Sequence, residues 1–413
     1  MLQSVLGLAV FAALAWLISE NRSAVRLKTV AVGIGLQLIL GVILLKAPGT
    51  TDFFLMLNKI ILAVEASTRA GTSMVFGYLG GGERFPFAVT DPAATFLLAF
   101  QALPLVLVMS ALSALFFYWK ILPAVVRGFS WVLQKTVGLG GAEGVGLSAN
   151  IFVGMVESPL LIRPYLGQMT RSEIFSIMTC GMATIAGTVM VLYASILNPV
   201  IPNVMGHILT ASIISVPAAI TIAKVLVPET QTPTAGSLSP PQTAQSAMDA
   251  VTRGTLQGIE LLINIVGMLI VLVALVTLVN LLLSFLPDAG RGPLTLQRLL
   301  GFVMAPVVWL MGVPWNQAPT AGALMGTKTI LNELLAYLEM SGLPQGALSP
   351  KSLLIMTYAM CGFANPGSLG IMIGGLGTMA PERRQEIVSL GLRSIVAGTL
   401  ATCMTGCIVG ILM

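Results

Sequence analysis

Residues 318–342 read APTAGALMGTKTILNELLAYLEMSG, and this stretch decides how the chain is built. It is apolar enough to enter a membrane, yet it carries Lys328, Glu333 and Glu339. Charged side chains of this kind are too costly to face lipid, so the segment must be surrounded by protein or line an aqueous cavity. The sequence therefore predicts a re-entrant hairpin over 318–342.

A second stretch of the same kind covers 138–166, which is rich in Gly and Pro and contains Glu157 and Arg163. Each predicted hairpin is followed by a similar segment, CGMAT at 180–184 and CGFAN at 361–365. The first hairpin precedes an outward-going span and the second an inward-going one, so the two copies have opposite orientation. Such inverted-topology repeats with discontinuous helices are typical of secondary transporters.

The composition excludes a water-soluble globule. Hydrophobic residues make up 56% of the 413 positions and charged residues 9%, against about 25% charged in an ordinary soluble domain. Since a helix needs about 20 apolar residues to span a bilayer, the uncharged runs predict an all-α polytopic membrane protein with eight spans. These lie near 2–19, 30–47, 96–117, 173–197, 205–227, 258–286, 350–379 and 387–412.

The chain divides into four predicted regions. Residues 1–117 hold N-terminal spans, largely scaffold, with interfacial segments, and 118–227 hold the first repeat. Residues 228–250 are rich in Pro, Ser, Thr and Gln and predict a flexible linker. The sixth span and the second repeat follow in 251–413. Lys and Arg are concentrated in segments that lie inside when the N-terminus is outside, so both termini are predicted to be outside.

Glu157 and Glu333 are the candidate functional carboxylates, because an acidic residue at membrane depth is costly. Gly154 and Pro159 interrupt the helix around Glu157, which frees carbonyl oxygens for a cation. Glu333 is suited to accept hydrogen bonds from sugar hydroxyls, since an ionised carboxylate only accepts. The structural alternative is a buried pair with Lys328, although five residues is a poor helical spacing for one.

A broken helix is predicted around Pro366, where Phe363, Asn365 and Ser368 offer an aromatic wall, an amide and a hydroxyl. The alternative for Phe363 is ordinary packing. No structural zinc site or organic cofactor is predicted, because the four cysteines lie in apolar runs and His207 is the one histidine. We expect His207 to be solvated near a loop.

Three motifs resemble the concentrative nucleoside transporter family. They are Gly326-x-Lys328-x-x-x-Asn332-Glu333 with the Ala-Tyr pair at 336–337, ESPLLIRPY at 157–165, and GTSMVFG at 71–77. The resemblance runs from about Gly71 to the C-terminus. It implies a homotrimer whose protomers each have eight transmembrane helices and two opposed hairpins, with an elevator-type transport domain that moves against a fixed scaffold.

The same resemblance implies the ligand sites. Glu333, Asn365 and Ser368 would hold the ribose, and Phe363 and Val189 would flank the ligand. A sodium ion would be bound by Asn150, the carbonyl of Val153, Thr184 and the carbonyl of Ile185. This implies import of nucleosides with sodium by alternating access. The sequence shows neither extra N-terminal spans nor a long soluble tail, from which we expect a bacterial inner membrane, with both termini periplasmic.

Coupling to protons is the alternative, since family members that use protons lack the Asn at the position of Asn150; its presence favours sodium. A channel is an alternative from another class, because re-entrant hairpins also build pores. Two carboxylates at equivalent places favour a closed, alternating site. An intramembrane enzyme is not predicted, since neither an HExxH nor a GxSxG motif is present.

One departure from the family concerns the base-binding end of the site. Members that take common nucleosides have Gln and a small hydroxyl residue before the first-hairpin Glu, whereas this chain has Met155 and Val156. Glu157 then remains as the hydrogen-bonding partner for the base. Two substrates follow as hypotheses, a modified nucleoside such as pseudouridine, which is slightly favoured, and a purine nucleoside packed more apolarly.

Overall fold

The structure, a computed structural model, describes residues 1–47, 49–90, 95–234, 244–286 and 294–413, without the side chains at 50–55, 57, 58 and 61. Regular structure in these residues is helical, as predicted. The α-helices are α1 Leu2–Leu17, α2 Leu27–Lys46, α3 Thr50–Phe76, α4 Leu105–Tyr118, α5 Ile121–Val137, α6 Gly141–Ala149, α7 Glu157–Leu161, α8 Arg171–Ala183, α9 Gly187–Leu197, α10 Val204–Leu226, α11 Ala247–Leu283, α12 Leu296–Met311, α13 Ala318–Ile330, α14 Glu333–Ser341, α15 Pro350–Met360, α16 Pro366–Met379 and α17 Arg384–Leu412.

Six segments of the described chain are long and apolar enough to cross a membrane. Helices α1 and α12, with 16 residues each, are apolar but shorter. Helices α3, α5 and α12 also lie outside the predicted spans, because charges or proline interrupt their apolar runs. The six segments are Leu27–Lys46, Leu98–Tyr118, Arg171–Leu197, Val204–Leu226, Ala247–Leu283 and Pro381–Leu412.

Two of the predicted spans are broken helices. The span predicted at 173–197 consists of α8 and α9, and that at 350–379 consists of α15 and α16. Asn365 caps α16 by accepting a hydrogen bond from the amide of Ser368 at 2.8 Å, and Pro366 occupies the first helical position. CGMAT and CGFAN therefore mark corresponding breaks in the two halves.

Both predicted hairpins are helix–break–helix structures. Helices α6 and α7 are separated by 150–156, and α13 and α14 by 331–332. Asn332 caps α14, accepting from the amide of Leu335 at 2.9 Å. Glu157 and Glu333 are each the first residue of the second helix in their hairpin, so the two carboxylates occupy corresponding positions.

The predicted linker 228–250 ends earlier than expected. Helix α11 begins at Ala247, where Ser246 caps it by accepting from the amide of Asp249 at 3.1 Å. At the other end, the amide of Thr234 donates to Glu173 at 2.8 Å, which ties the first part of the linker to α8. Residues 235–243 of this segment lie outside the described residues.

Burial separates an inner from an outer group of helices. In Arg171–Leu197 and Val204–Leu226, 89% of the most apolar stretch is buried, against 6% in Ala247–Leu283. The broken helices and α10 thus form the interior, and α11 lies at the periphery, where its apolar side chains suit lipid or another subunit. The hairpins pack into this interior and bring their breaks to the broken helices.

Candidate functional site

A cavity of about 170 Å³ lies where the hairpin breaks meet the broken helices. Helix α11 closes it from the outer side. All eight residues predicted for substrate binding line this cavity, which brings together side chains from both halves of the chain. They are Met155, Val156, Glu157, Val189, Glu333, Phe363, Asn365 and Ser368.

Glu333 is buried at the cavity wall and held by two donors. The hydroxyl of Tyr193 donates to Glu333 Oε1 at 2.6 Å, and Asn365 Nδ2 donates to Oε2 at 3.3 Å. Each carboxylate oxygen has further lone pairs, because an ionised carboxylate can accept about four hydrogen bonds. The carboxylate is therefore fixed in orientation and still able to accept from a ligand.

Ser368 lies beside this carboxylate at the start of α16. Its amide is bound by Asn365 Oδ1, whereas its hydroxyl has no hydrogen-bond partner among the described residues. The cap at Asn365 thus does two things, since its oxygen orders the helix terminus and its nitrogen binds Glu333. The arrangement presents a carboxylate and a hydroxyl to one side of the cavity.

Glu157 has a different environment from Glu333. It is exposed to the cavity, and no side chain among the described residues donates to it. Its carboxylate lies over Gly154, where a Cβ atom would be 2.1 Å from Glu157 Oε2. The absence of a side chain at Gly154 therefore makes room for the carboxylate.

Apolar side chains form the neighbouring wall. Met155 packs against Gly181, where an added Cβ would lie 2.9 Å from Met155 Cβ. Val156 packs in the same way against Gly375, again at 2.9 Å. The part of the cavity wall formed by positions 155 and 156 is therefore apolar, as the departure at these positions predicts.

Lys328 does not pair directly with Glu333. It is fully buried, and its ammonium lies 3.5 Å from the hydroxyl of Thr402. Within the described part of the chain it forms no ion pair shorter than 4.0 Å. The carboxylate of Glu333 is thus held by neutral donors, and the purely structural Lys–Glu pair is not observed.

The four residues predicted for sodium lie at two adjoining breaks. Asn150 Nδ2 donates to Thr184 Oγ1 at 3.0 Å, and both residues are buried. The amide of Gly187 donates to the carbonyl of Phe152 at 3.1 Å, which holds the hairpin break against the α8–α9 break. The carbonyls of Val153 and Ile185 accept no hydrogen bond from another described residue. Amide, hydroxyl and carbonyl oxygens are the donor set that a hard cation prefers.

Among the polar residues that line the cavity, sequence reasoning missed Thr188, Tyr193 and Asn264. Tyr193 lies one helical turn after Val189 on α9, so the cavity-facing periodicity was the available signal. His207 lies in the first turn of α10, next to a loop as expected, but it is half-buried rather than fully solvated, and its Nδ1 is 3.0 Å from the hydroxyl of Tyr358.

A second cavity of about 490 Å³ adjoins the first. Four residues line both cavities, namely Gly154, Glu157, Thr188 and Leu261. Its remaining wall comes mainly from α4 and from the first turns of α11, including Arg253 and Gln257. Glu157 therefore stands at the junction of the two spaces.

Comparison with known proteins identifies the class. Family profiles described as "Na+ dependent nucleoside transporter" match residues 6–79 (N-terminus) and 207–410 (C-terminus), and one described as "Nucleoside recognition" matches 99–200. An uncharacterized transporter of Bacillus subtilis is 36% identical over 99% of this chain and 98% of its own length. The nucleoside permease NupC of Helicobacter pylori is 33% identical, over 99% and 97%. The chain is thus a multi-pass membrane transporter and not an enzyme.

The solved structure of CNTnw in an inward-facing substrate-bound state superposes on this chain with a TM-score of 0.90. The two are 34% identical, and the match covers 99% of this chain and 97% of CNTnw. The all-helical fold is therefore that of a known transporter. The chain belongs to the concentrative nucleoside transporter family.

Proposed function

We propose that this protein imports nucleosides by symport with sodium, using alternating access. The observation that carries the proposal is the Glu333 carboxylate, oriented by Tyr193 and Asn365 at the wall of a cavity that both halves of the chain build. A carboxylate held in this way accepts hydrogen bonds from neighbouring hydroxyls, which is what ribose offers. Ser368 adds a hydroxyl at the same place.

We assign the sugar to Glu333, Asn365 and Ser368, between Phe363 and Val189. The base then lies toward Met155, Val156 and Glu157. Because discrimination between bases depends on polar groups left unpaired by the wrong ligand, an apolar wall at this end discriminates weakly by hydrogen bonding. Pseudouridine suits the Glu157 carboxylate through its additional N–H, and a purine nucleoside suits the apolar wall.

We assign sodium to Asn150, Thr184 and the carbonyls of Val153 and Ile185. The contact between Asn150 and Thr184 and the unpaired carbonyls support this assignment. The family profile named for sodium dependence supports sodium over protons. A cation here would tie the hairpin break to the α8–α9 break beside the substrate cavity, which couples ion binding to the shape of the site.

The architecture proposed with this function has eight membrane spans and two opposed hairpins, with an elevator-type transport domain in a homotrimer. The corresponding positions of Glu157 and Glu333 support inverted repeats. CNTnw has been solved in an inward-facing state, and substituted variants of it in outward-facing and intermediate states, which supports alternating access. A bacterial inner membrane and periplasmic termini complete the proposal.

The test is uptake of labelled uridine by purified protein in proteoliposomes. We expect saturable accumulation against the nucleoside gradient when sodium is higher outside, and none when choline replaces sodium at constant pH. Accumulation driven by a proton gradient without sodium would replace the ion assignment. Flux that only equilibrates uridine, whatever the ion gradient, would instead indicate a channel.

A further inference from the structure

Helix α11 forms the outer wall of the substrate cavity. Its lining positions recur at helical spacing, so one stripe of the helix faces the ligand space. This wall comes from a peripheral helix, whereas the hairpins and broken helices supply the opposite side. The lining residues of α11 are Leu261, Asn264, Ile265, Met268 and Leu272.

Asn264 is a polar residue in an otherwise apolar stripe of α11. Between residues 261 and 276 it is the one polar side chain, it is exposed, and within the described chain it makes no hydrogen bond. By contrast, the side chain of Asn280 on the same helix is hydrogen-bonded: it accepts from the amide of Leu296 at 2.8 Å and donates to Gln297 at 3.2 Å. An unpaired amide at membrane depth is costly unless something polar reaches it.

The neighbours of Asn264 locate it along the cavity. One turn earlier, Leu261 lines both cavities together with Glu157. One turn later, Met268 reaches the start of α16, where its Cε lies 3.1 Å from the position of a Cβ on Gly367. Asn264 therefore lies between the level of the proposed sugar contacts and the level of Glu157, which is where a base attached to that sugar extends.

We propose that Asn264 hydrogen-bonds to the nucleobase and determines base specificity from the α11 side of the cavity. The proposal rests on nucleoside transport as the function. A carboxamide offers one acceptor oxygen and two donor hydrogens, so it pairs with a base edge that presents a donor beside an acceptor, such as the imide of a uracil ring. It supplies from the outer wall the polar contact that Met155 and Val156 do not supply from the hairpin.

The test compares Asn264→Leu with wild type in proteoliposomes, using two competitors of labelled uridine uptake. Unlabelled uridine has the imide edge, and phenyl riboside carries the same sugar with an aromatic ring that cannot hydrogen-bond. We expect the variant to weaken binding of uridine about tenfold, the loss of about one hydrogen bond, and to leave inhibition by phenyl riboside unchanged. Maximal uptake should stay within about twofold.

Ile263→Leu is the matched control, because Ile263 is the adjacent α11 residue and is exposed outside the cavity. It should change neither competitor. Equal weakening of uridine and phenyl riboside in Asn264→Leu, or a loss of maximal uptake with a lowered thermal midpoint, would assign Asn264 to structure and overturn the proposal. A wild-type protein that accumulates no nucleoside would overturn the proposed function itself.

Discussion

The two hairpins of this protein place a glutamate at corresponding positions, but the two carboxylates differ in burial and in hydrogen bonding. Glu333 is buried, and its carboxylate is fixed by Tyr193 and Asn365. Glu157 is exposed to the cavity and lies over Gly154 without a side-chain donor. The same residue in the same place of the repeat is thus held by side chains of two other helices in one half and by no side-chain donor in the other.

The difference indicates that the two carboxylates bind different parts of the ligand. A preorganised carboxylate pays little entropy on binding and recognises a constant feature of the ligand, which in our proposal is the ribose. A carboxylate without side-chain donors keeps its acceptor capacity for a variable feature of the ligand, the base. We therefore expect substitutions around Glu333 to affect all nucleosides alike, and substitutions around Glu157 to affect the choice between them.

Glu333→Gln should have the largest effect. It replaces a charged acceptor by a neutral amide that also carries donor hydrogens, so hydrogen bonds from ribose hydroxyls are lost, at about 1.5–3 kcal/mol each. We expect uptake of labelled uridine at low concentration to fall by about a hundredfold or more, and Asn365→Ala to act in the same direction.

Glu339→Gln is the control for this substitution. It makes the same chemical change in the same hairpin, at a carboxylate that accepts from Thr327 at 2.9 Å and does not line the cavity. Its uptake should stay close to wild type, and crosslinking should show the same oligomer for both variants. If Glu333→Gln retained uptake, the proposal that the second hairpin binds the sugar would be wrong.

Tyr193→Phe tests whether the rigidity of Glu333 matters. Removal of the hydroxyl leaves the ring in place but frees one carboxylate oxygen, so we expect KM for uridine, pseudouridine and inosine to rise by a similar factor of about ten. Tyr337→Phe is the control, since its hydroxyl donates to the carbonyl of Thr357 at 2.9 Å and its ring lies 5.3 Å from that of Tyr193. That variant should lower thermal stability without changing KM, and a KM effect that differs strongly between nucleosides would contradict a sugar role for Tyr193.

Much of this arrangement follows from local sequence. Gly, Pro and charges inside apolar stretches predicted both hairpins, because charged and non-helical segments at membrane depth must be buried in protein or line an aqueous cavity. The broken helix around Pro366 was predicted, whereas the corresponding break between α8 and α9 was not, since 173–197 was predicted as one span. Helices α3, α5 and α12 were not predicted as spans, since charges or proline shorten their apolar runs below the length that hydropathy detects.

The opposite treatment of the two glutamates was not predictable from sequence. A tyrosine in an apolar helix has no local feature that distinguishes packing from hydrogen bonding, so the role of Tyr193 emerges from the contact between α9 and α14. The position of the Glu157 carboxylate depends likewise on the space above Gly154, which is a property of the folded backbone. Asn264 was missed because α11 reaches the cavity through tertiary packing.

Asn150→Ala addresses the ion that lies, in our proposal, at the break leading to Glu157. It removes an amide oxygen from the cation ligands together with the hydrogen bond to Thr184. We expect the sodium concentration for half-maximal uptake to rise several-fold, with a smaller change in KM for uridine at saturating sodium. Ser148→Ala, two residues earlier, removes only a bond to the carbonyl of Gly144 and should leave sodium dependence unchanged. If Asn150→Ala and wild type showed equal sodium dependence, Asn150 would not be a sodium ligand.

Gly154→Ala should have the smallest effect and is the most selective test of the comparison. The new Cβ would occupy the space of Glu157 Oε2, so the carboxylate must shift, and a side chain pushed off its rotamer costs about 0.5–1.5 kcal/mol. We expect the ratio of inhibition constants for pseudouridine and uridine to change about two- to tenfold, while phenyl riboside competes as in wild type. Gly370→Ala is the control, since a Cβ there meets nothing within 4 Å. If Gly154→Ala weakens every ligand equally, the first-hairpin glutamate is as closely tied to the sugar as the second, and the proposed division between the two halves is wrong.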